Sequence, residues 1–224
     1  MYVSEFMTTS LITITGDEPV ARAARLIYAH NIRRLPVVDY EGRLIGIIGD
    51  RAVSAAMPTA ATGLSSKEMS NTLSKMKVCM SMQPDVVTIT ADTTVENVVS
   101  LAQDNKVGSL VVVDDQYRPV GIVTTNDVIY RVLNPLLGLG SPGVRLHIYD
   151  CGKIEQIRQV TELIEKHDLE LEVIHLDKSP KAEKSDLIVQ VITRDPGPLV
   201  HDLTGQGYKV EIRKRKSWPL AGDE

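Results

Sequence analysis

The chain repeats itself. Sliding it by 75 residues lays residues 3–57 over residues 78–132 without a gap, and 16 of the 55 positions are identical. The identities fall in blocks: Thr13/Thr88 to Thr15/Thr90, Val37/Val112 to Asp39/Asp114, and Gly46/Gly121 with Ile47/Ile122. An internal repeat constrains a fold more than any local propensity does. A unit of this size has one apolar sheet face and struggles to bury it alone, so two copies are expected to pack together.

Each copy reads as one supersecondary pattern. In the first, residues 11–15 form a short strand, and a helix opens at Asp17 with Pro19 just inside it and runs to about Asn31. A buried strand follows over residues 35–39, then a turn at Glu41 and Gly42, a strand over residues 44–48 and a short helix from Asp50. The second copy repeats this with Asp92, residues 110–114, residues 120–124 and a helix from Asn126. Between the copies, residues 58–77 are rich in Ser, Thr and Ala. They read as a tether with one short helix over residues 66–75.

The runs Phe6-Met7-Thr8 and Met80-Ser81-Met82, the segment Leu35-Pro36-Val37-Val38-Asp39, and Gly121-Ile122-Val123-Thr124-Thr125-Asn126-Asp127 resemble CBS domains, paired as a Bateman module. Residues 1–57 and 78–134 are the two motifs. Residues 135–143 read as a second linker. Its Gly138-x-Gly140-x-x-Gly143 matches the dinucleotide fingerprint as a string, but that fingerprint needs a strand before it and a helix after it. Here a helix ends before it and the alternating strand Val144-Arg145-Leu146-His147-Ile148 follows.

Residues 144–216 read as strand, helix, strand, strand, helix, strand, with Ile154, Ile157, Val160, Leu163 and Ile164 on one helix face. This βαββαβ order is a ferredoxin-like plan. With Asp150 and Gly152 at the first strand-to-helix turn, it resembles an ACT domain, although Cys151 stands where that family commonly has proline and Leu169-Glu170 where it often has Asn-Ile. The resemblance makes Asp150 and Gly152 a candidate ligand turn. The fold class is therefore α/β (α+β), a CBS pair followed by an ACT-like unit, with residues 217–224 as a tail. The layout is similar to that of the acetoin-utilisation AcuB family.

The resemblance also implies a ligand. CBS pairs bind adenine-containing nucleotides in clefts between the repeats: AMP, ADP or ATP, with S-adenosylmethionine as a further candidate. Asp127 occupies the ribose position, where an acceptor-only carboxylate can take both hydroxyl protons. Thr124 is placed to bond ribose or the first phosphate. Adenine is expected against Asp85, Val86 and Val87 and at Gly108 and Ser109, where a missing side chain leaves room for a ring. Repeat one has Gly49 and Ala52 at the positions of Thr124 and Asp127. Losing two hydrogen bonds to a charged group, roughly 1.5 to 3 kcal/mol each, weakens binding about a hundredfold or more, so that site is expected to be empty. Arg33 and Arg34, aligned with Gly108 and Ser109, are candidates to pair the phosphates bidentately. Each assignment has a structural alternative. Asp127 can serve only the helix dipole, Thr124 only as a cap, and the two arginines as an exposed basic pair.

Composition narrows the remaining classes. Against 29 acidic residues stand 25 basic ones, and only 9 are aromatic, which argues against nucleic acid as a partner. The run Arg213-Lys214-Arg215-Lys216 reads as a solvated tail. Cys79 and Cys151 have no metal or disulfide spacing, and the five histidines show no ligand pattern, so no metal is expected. No apolar run approaches the ~18 residues of a membrane span. The first basic residue is Arg22, so a secretory signal has no basic n-region and the chain is expected to be cytoplasmic. No catalytic motif is present. The sequence thus predicts a non-catalytic regulator that forms a homodimer through its CBS motifs, binds an adenine nucleotide and acts on an unidentified target protein. The alternative is a dimerisation adaptor without a nucleotide.

Overall fold

The computed structural model describes residues 1–56, 75–178 and 183–213. The linker helix expected over residues 66–75 lies outside them except at Lys75, and the basic run after Arg213 lies outside them too. The chain forms two compact units, Met1–Val132 and Leu133–Glu224.

In the first unit both repeats build the same small sheet. Repeat one contributes α1 (Val3–Phe6), β1 (Ile14–Thr15), α2 (Val20–Ala29), β2 (Arg34–Val38), β3 (Leu44–Gly49) and α3 (Asp50–Ala56). Repeat two contributes β4 (Thr88–Ile89), α4 (Val95–Asp104), β5 (Ser109–Val113), β6 (Pro119–Thr124) and the single turn α5 (Thr125–Asp127), which continues as π-helix over Val128–Leu133. The sheets are ordered β1-β2-β3 and β4-β5-β6, each with a parallel and an antiparallel pairing. Even the register shift recurs, between Val37 and Val38 and again between Val112 and Val113. The central strands β2 and β5 are covered on both faces, which is why they read as continuous apolar runs rather than alternating ones.

The helices start later than the sequence suggested. Proline at position 19 has extended backbone and is the residue before α2, so neither it nor Asp17 lies inside the helix. In repeat two Thr94, not Asp92, precedes the helix, and its hydroxyl accepts the Asn97 N–H.

Each repeat is completed by the segment that leads into the other. Val3 and Phe6, from the start of the chain, are buried with Ile89, Val98, Leu110, Val112 and Val123 of repeat two. Val78, from the start of repeat two, is buried with Ile14, Val20, Leu35, Val37 and Ile48 of repeat one. The backbone bonds match one for one. Val3 N–H donates to Thr93 O (2.9 Å) as Val78 N–H does to Glu18 O (2.9 Å), and Thr8 bridges Ile122 as Gln83 bridges Ile47. Gly121 and Gly46 make room for this exchange, because a Cβ at either would overlap the sulfur of Met7 or Met82. Leu44, Val111 and Val113 form a third cluster joining the repeats.

The second unit contains β7 (Val144–Ile148), α6 (Ile154–Lys166), β8 (Glu170–Asp177), β9 (Asp186–Ile192), α7 (Gly197–Gly205) and β10 (Val210–Arg213). The sheet order is β10-β7-β9-β8, antiparallel throughout. Leu146, Ile148, Leu187, Val189 and Val191 bury one face of the sheet with Val160, Leu163 and Ile164 of α6 and Leu199 and Leu203 of α7. Ile154 does not join them. It is the first residue of α6 and remains 73% exposed. On the other face Gln190 is fully buried, and its amide donates to the carbonyls of Ser141 (3.2 Å) and Pro142 (2.8 Å). The segment expected as a linker, residues 135–143, therefore supplies acceptors that a buried amide requires. Gly138, Gly140 and Gly143 all have positive φ and lead into a strand, a turn geometry unlike that of a dinucleotide loop.

Candidate functional site

The site residues of repeat two converge where β6 runs into α5. Ser109 and Thr124 are register partners across β5 and β6, and Thr125 donates from its N–H (3.1 Å) and its hydroxyl (3.3 Å) to Gly108 O. A Cβ at Gly108 would meet nothing closer than Thr125 Oγ1 at 3.7 Å, so space remains above it. Asp127 turns back on the helix start. Its Oδ2 accepts the Thr124 N–H (2.9 Å) and hydroxyl (2.6 Å), while the Asp127 N–H donates to Thr124 Oγ1 (3.3 Å). This is a reciprocal capping box. Both residues thus serve the helix start, as the structural alternative supposed.

The other carboxylate oxygen is less committed. Asp127 Oδ1 has the Thr8 hydroxyl at 3.5 Å and Arg131 Nε at 3.6 Å, and Arg131 Nη1 also donates to the carbonyls of Phe6 (3.0 Å) and Met7 (3.2 Å). Oδ1 therefore keeps capacity for further donors such as sugar hydroxyls. Nothing local in the sequence links residue 8 to residue 127, whereas Arg131 stands four residues after Asp127, a spacing that helical periodicity makes legible.

Three of the expected base contacts, Asp85, Val86 and Val87, line a cavity, whereas Gly108 and Ser109 are not among its lining residues. Asp85, Val86 and Val87 form one wall of a space of about 430 Å³, together with Gln83, Pro84, Asn105, Val107 and Tyr117. The last five were not expected. Tyr117 was legible in one respect, because it stands where repeat one has Gly42. A second cavity, about 500 Å³, is lined by Thr88, Ile89, Thr90, Thr93, Asn97, Ser100 and Leu101, none of them an expected site residue.

Repeat one fills its corresponding position with its own side chain. Arg34 pairs with Gly49 across β2 and β3, and its Nη1 lies close enough to overlap a Cβ at Gly49, 3.3 Å from Asp50 Oδ1 and 3.1 Å from Arg33 O. Arg34 is thus engaged within repeat one, while Arg33 is exposed and makes no side-chain hydrogen bond among the described residues. No contact brings either arginine to Asp127 among those residues.

The turn at Asp150 and Gly152 is tightly held. Asp150 has φ of 53°, its N–H donates to Asp186 Oδ1 (2.8 Å), and its Oδ2 lies 3.3 Å from Lys184 Nζ. A Cβ on Gly152 would come within 2.8 Å of Ser185 Cβ. Cys151 between them is fully buried in the core, and burial pushes its thiol up to about 11. Among the described residues no group of three or more His, Cys, Asp or Glu is arranged to hold a metal ion. No helix among them is long and apolar enough to cross a membrane.

Comparison with known proteins agrees with the repeat and its fold. The sequence profile of the CBS domain matches residues 3–58 and 77–134, together just over half of the chain. Inosine-5'-monophosphate dehydrogenase of Methanocaldococcus jannaschii is 30% identical over 261 aligned positions, covering 98% of this chain and 50% of that protein. The chain thus spans half the length of this relative. Among solved structures, the CBS domain pair of protein MJ0100, in complex with 5'-methylthioadenosine and S-adenosyl-L-methionine, has a TM-score of 0.50 and 29% identity, covering 60% of this chain and 96% of that one. A structure described as an acetoin utilization protein (AcuB) from Vibrio cholerae has a TM-score of 0.50 and 27% identity, covering 62% of this chain and 94% of that one.

Proposed function

The chain belongs to the CBS-domain family, and from that premise we propose that it is a non-catalytic regulator whose repeat-two edge binds an adenosyl ligand. One observation carries the reading. Asp127, Thr124, Gly108 and Ser109 share one end of a sheet, and the neighbouring segment around Asp85, Val86 and Val87 lines an open cavity. Asp127 Oδ1 takes the ribose hydroxyls, the cavity takes the base, and Arg33 and Arg34 of repeat one receive the phosphates of AMP, ADP or ATP. The MJ0100 pair supports an adenosyl ligand and keeps S-adenosylmethionine among the candidates. Repeat one, with Arg34 over Gly49, holds no second ligand of this kind. Binding regulates only to the extent that the ligand prefers one arrangement of the repeats over another.

We further propose that the second unit is a ferredoxin-like, ACT-like domain that passes the signal to a target protein. The element order and the sheet order β10-β7-β9-β8 support this. The working form is a cytoplasmic homodimer built through the CBS motifs. A second reading has its own support, since the capping box satisfies Asp127 Oδ2 and Thr124 without a ligand, as a dimerising adaptor would need. Calorimetric titration of wild type and Asp127→Asn with AMP, ADP, ATP and S-adenosylmethionine decides between them. Micromolar binding near one ligand per chain, weakened in the variant, supports the regulator. Absence of heat and of thermal stabilisation with all four ligands leaves the adaptor.

A further inference from the structure

The two repeats make the same turn with different residues. Asp39 Oδ1 accepts the N–H groups of Glu41 (2.9 Å) and Arg43 (2.8 Å), and Asp114 Oδ1 accepts those of Gln116 (3.0 Å) and Arg118 (2.8 Å). The Gly42 N–H returns to Asp39 O at 3.1 Å and the Tyr117 N–H to Asp114 O at 2.9 Å. The turn needs a left-handed residue just before the arginine. Repeat one supplies Gly42 at φ 81°, the residue that adopts this conformation without strain. Repeat two supplies Tyr117 at φ 61°, where a bulky side chain is an outlier. Of the other non-glycine residues with positive φ, Asn31, Asp150 and Asp168 are of types that tolerate it, and Lys106 follows Asn105, the C-cap of α4.

Core packing does not account for the strain. Tyr117 is 45% exposed, belongs to neither repeat's core cluster, and its hydroxyl has no hydrogen-bond partner among the described residues. Instead it borders the cavity of about 430 Å³. Its backbone is fixed there twice, by Asp114 and by the Leu44 N–H of repeat one, which donates to Tyr117 O at 2.9 Å. The lining is apolar at Val86, Val87 and Val107 and polar at Gln83, Asp85 and Asn105. Apolar walls with polar groups among them suit a flat heteroaromatic ring better than an aliphatic chain.

Resting on the reading above, we infer that Tyr117 is a specificity residue of repeat two, held in a strained turn so that its ring forms a wall against which the purine base of the ligand stacks. Backbone strain that serves no packing is expected where a site is preorganised. Repeat one has no counterpart ring, in keeping with its glycine and its self-filled site.

The test compares Tyr117→Gly and Tyr117→Phe with wild type, using AMP, ADP, ATP and S-adenosylmethionine as probes. Tyr117→Gly restores the residue repeat one uses, so it is expected to melt no lower than wild type. It should nonetheless bind whichever probe wild type binds about tenfold more weakly, the scale of one lost base-aromatic stack. Tyr117→Phe should bind like wild type. A tryptophan at this position, Tyr117→Trp in a Trp218→Phe background, should be quenched on saturation. Unchanged affinity in Tyr117→Gly, equal weakening in Tyr117→Phe, or an unquenched tryptophan overturns the inference while the regulator stands. A wild type that binds none of the four probes removes the regulator reading and this inference with it.

Discussion

Replacing Asp127 with alanine probes the site before any ligand is added. The substitution deletes an oxygen that accepts twice from Thr124, at 2.9 and 2.6 Å, and a second oxygen 3.6 Å from Arg131. Loss of a helix-start side chain costs about 1 kcal/mol. The Arg131 pair adds about 0.2–1 kcal/mol, because that arginine is half exposed. A part-buried Thr124 N–H left without an acceptor brings the total to about 2 kcal/mol. In a unit of this size that is a fall of about 6–8 °C in the first unit's Tm. Asp127→Asn keeps one oxygen acceptor for Thr124 and should lose less than half as much, although it is no longer acceptor-only towards ribose. Differential scanning calorimetry without ligand gives both values, with the transition of the second unit unmoved. An alanine variant that melts within 1 °C of wild type, a tolerance on the order of a few tenths of a kcal/mol, would refute the capping geometry.

Three further outcomes follow from the packing. Phe6→Ala removes a side chain only 2% exposed in the repeat-two core, a loss of about 3–5 kcal/mol; hydrogen exchange should accelerate in β5 and β6 ahead of β2 and β3, and the reverse order would contradict the exchange of leading segments. Gly143→Ala forces a left-handed backbone at φ 103° and drives a Cβ into the Val191 carbonyl, so the second unit should melt lower by about 1–3 kcal/mol or more, and unchanged melting would show that the turn differs. The Asp150 N–H, and after it His147, hold the Asp186 carboxyl below its usual value of 3.8. A carboxyl depressed in the folded state stabilises above its unfolded value and loses that stabilisation as pH falls through the folded one. Thermal melts of the second unit should therefore fall more steeply below about pH 4 in wild type than in Asp186→Asn.

The repeat made most of the first unit legible, because the same apolar and turn residues recur at one offset and each occurrence supports the other. Apart from α1, which the sequence reading did not include, strand and helix order in both units follows that reading to within a few residues at the element ends. What stayed hidden is long-range. Nothing in Phe6-Met7-Thr8 says that these residues serve the second repeat rather than the first, since an apolar side chain carries no address. That Arg34 lies over Gly49 depends on a cross-strand register that only the folded sheet defines. Residues 135–143 looked like a linker because their role lies in backbone carbonyls, which every residue has. Ile154 matches the helical spacing, yet as the first residue of α6 it stays exposed while Ile157, within the same turn, packs against the core.

The exchanged leading segments bear on biosynthesis. Residues 3–8 leave the ribosome long before their docking surface exists, since Thr8 and its partner Asp127 are 119 residues apart. At about 5–20 residues per second, that interval lasts on the order of ten seconds, during which Val3, Phe6 and Met7 have no native surface to cover them. Repeat one waits as well, for Val78, so neither repeat can close as it emerges. Repeat one can close once Val78 is out, whereas repeat two, with Val3 and Phe6, closes only when β6 is complete. Genetic dissection between the repeats would separate each core from its own closing piece, and the two fragments would be expected to fold only by complementing one another.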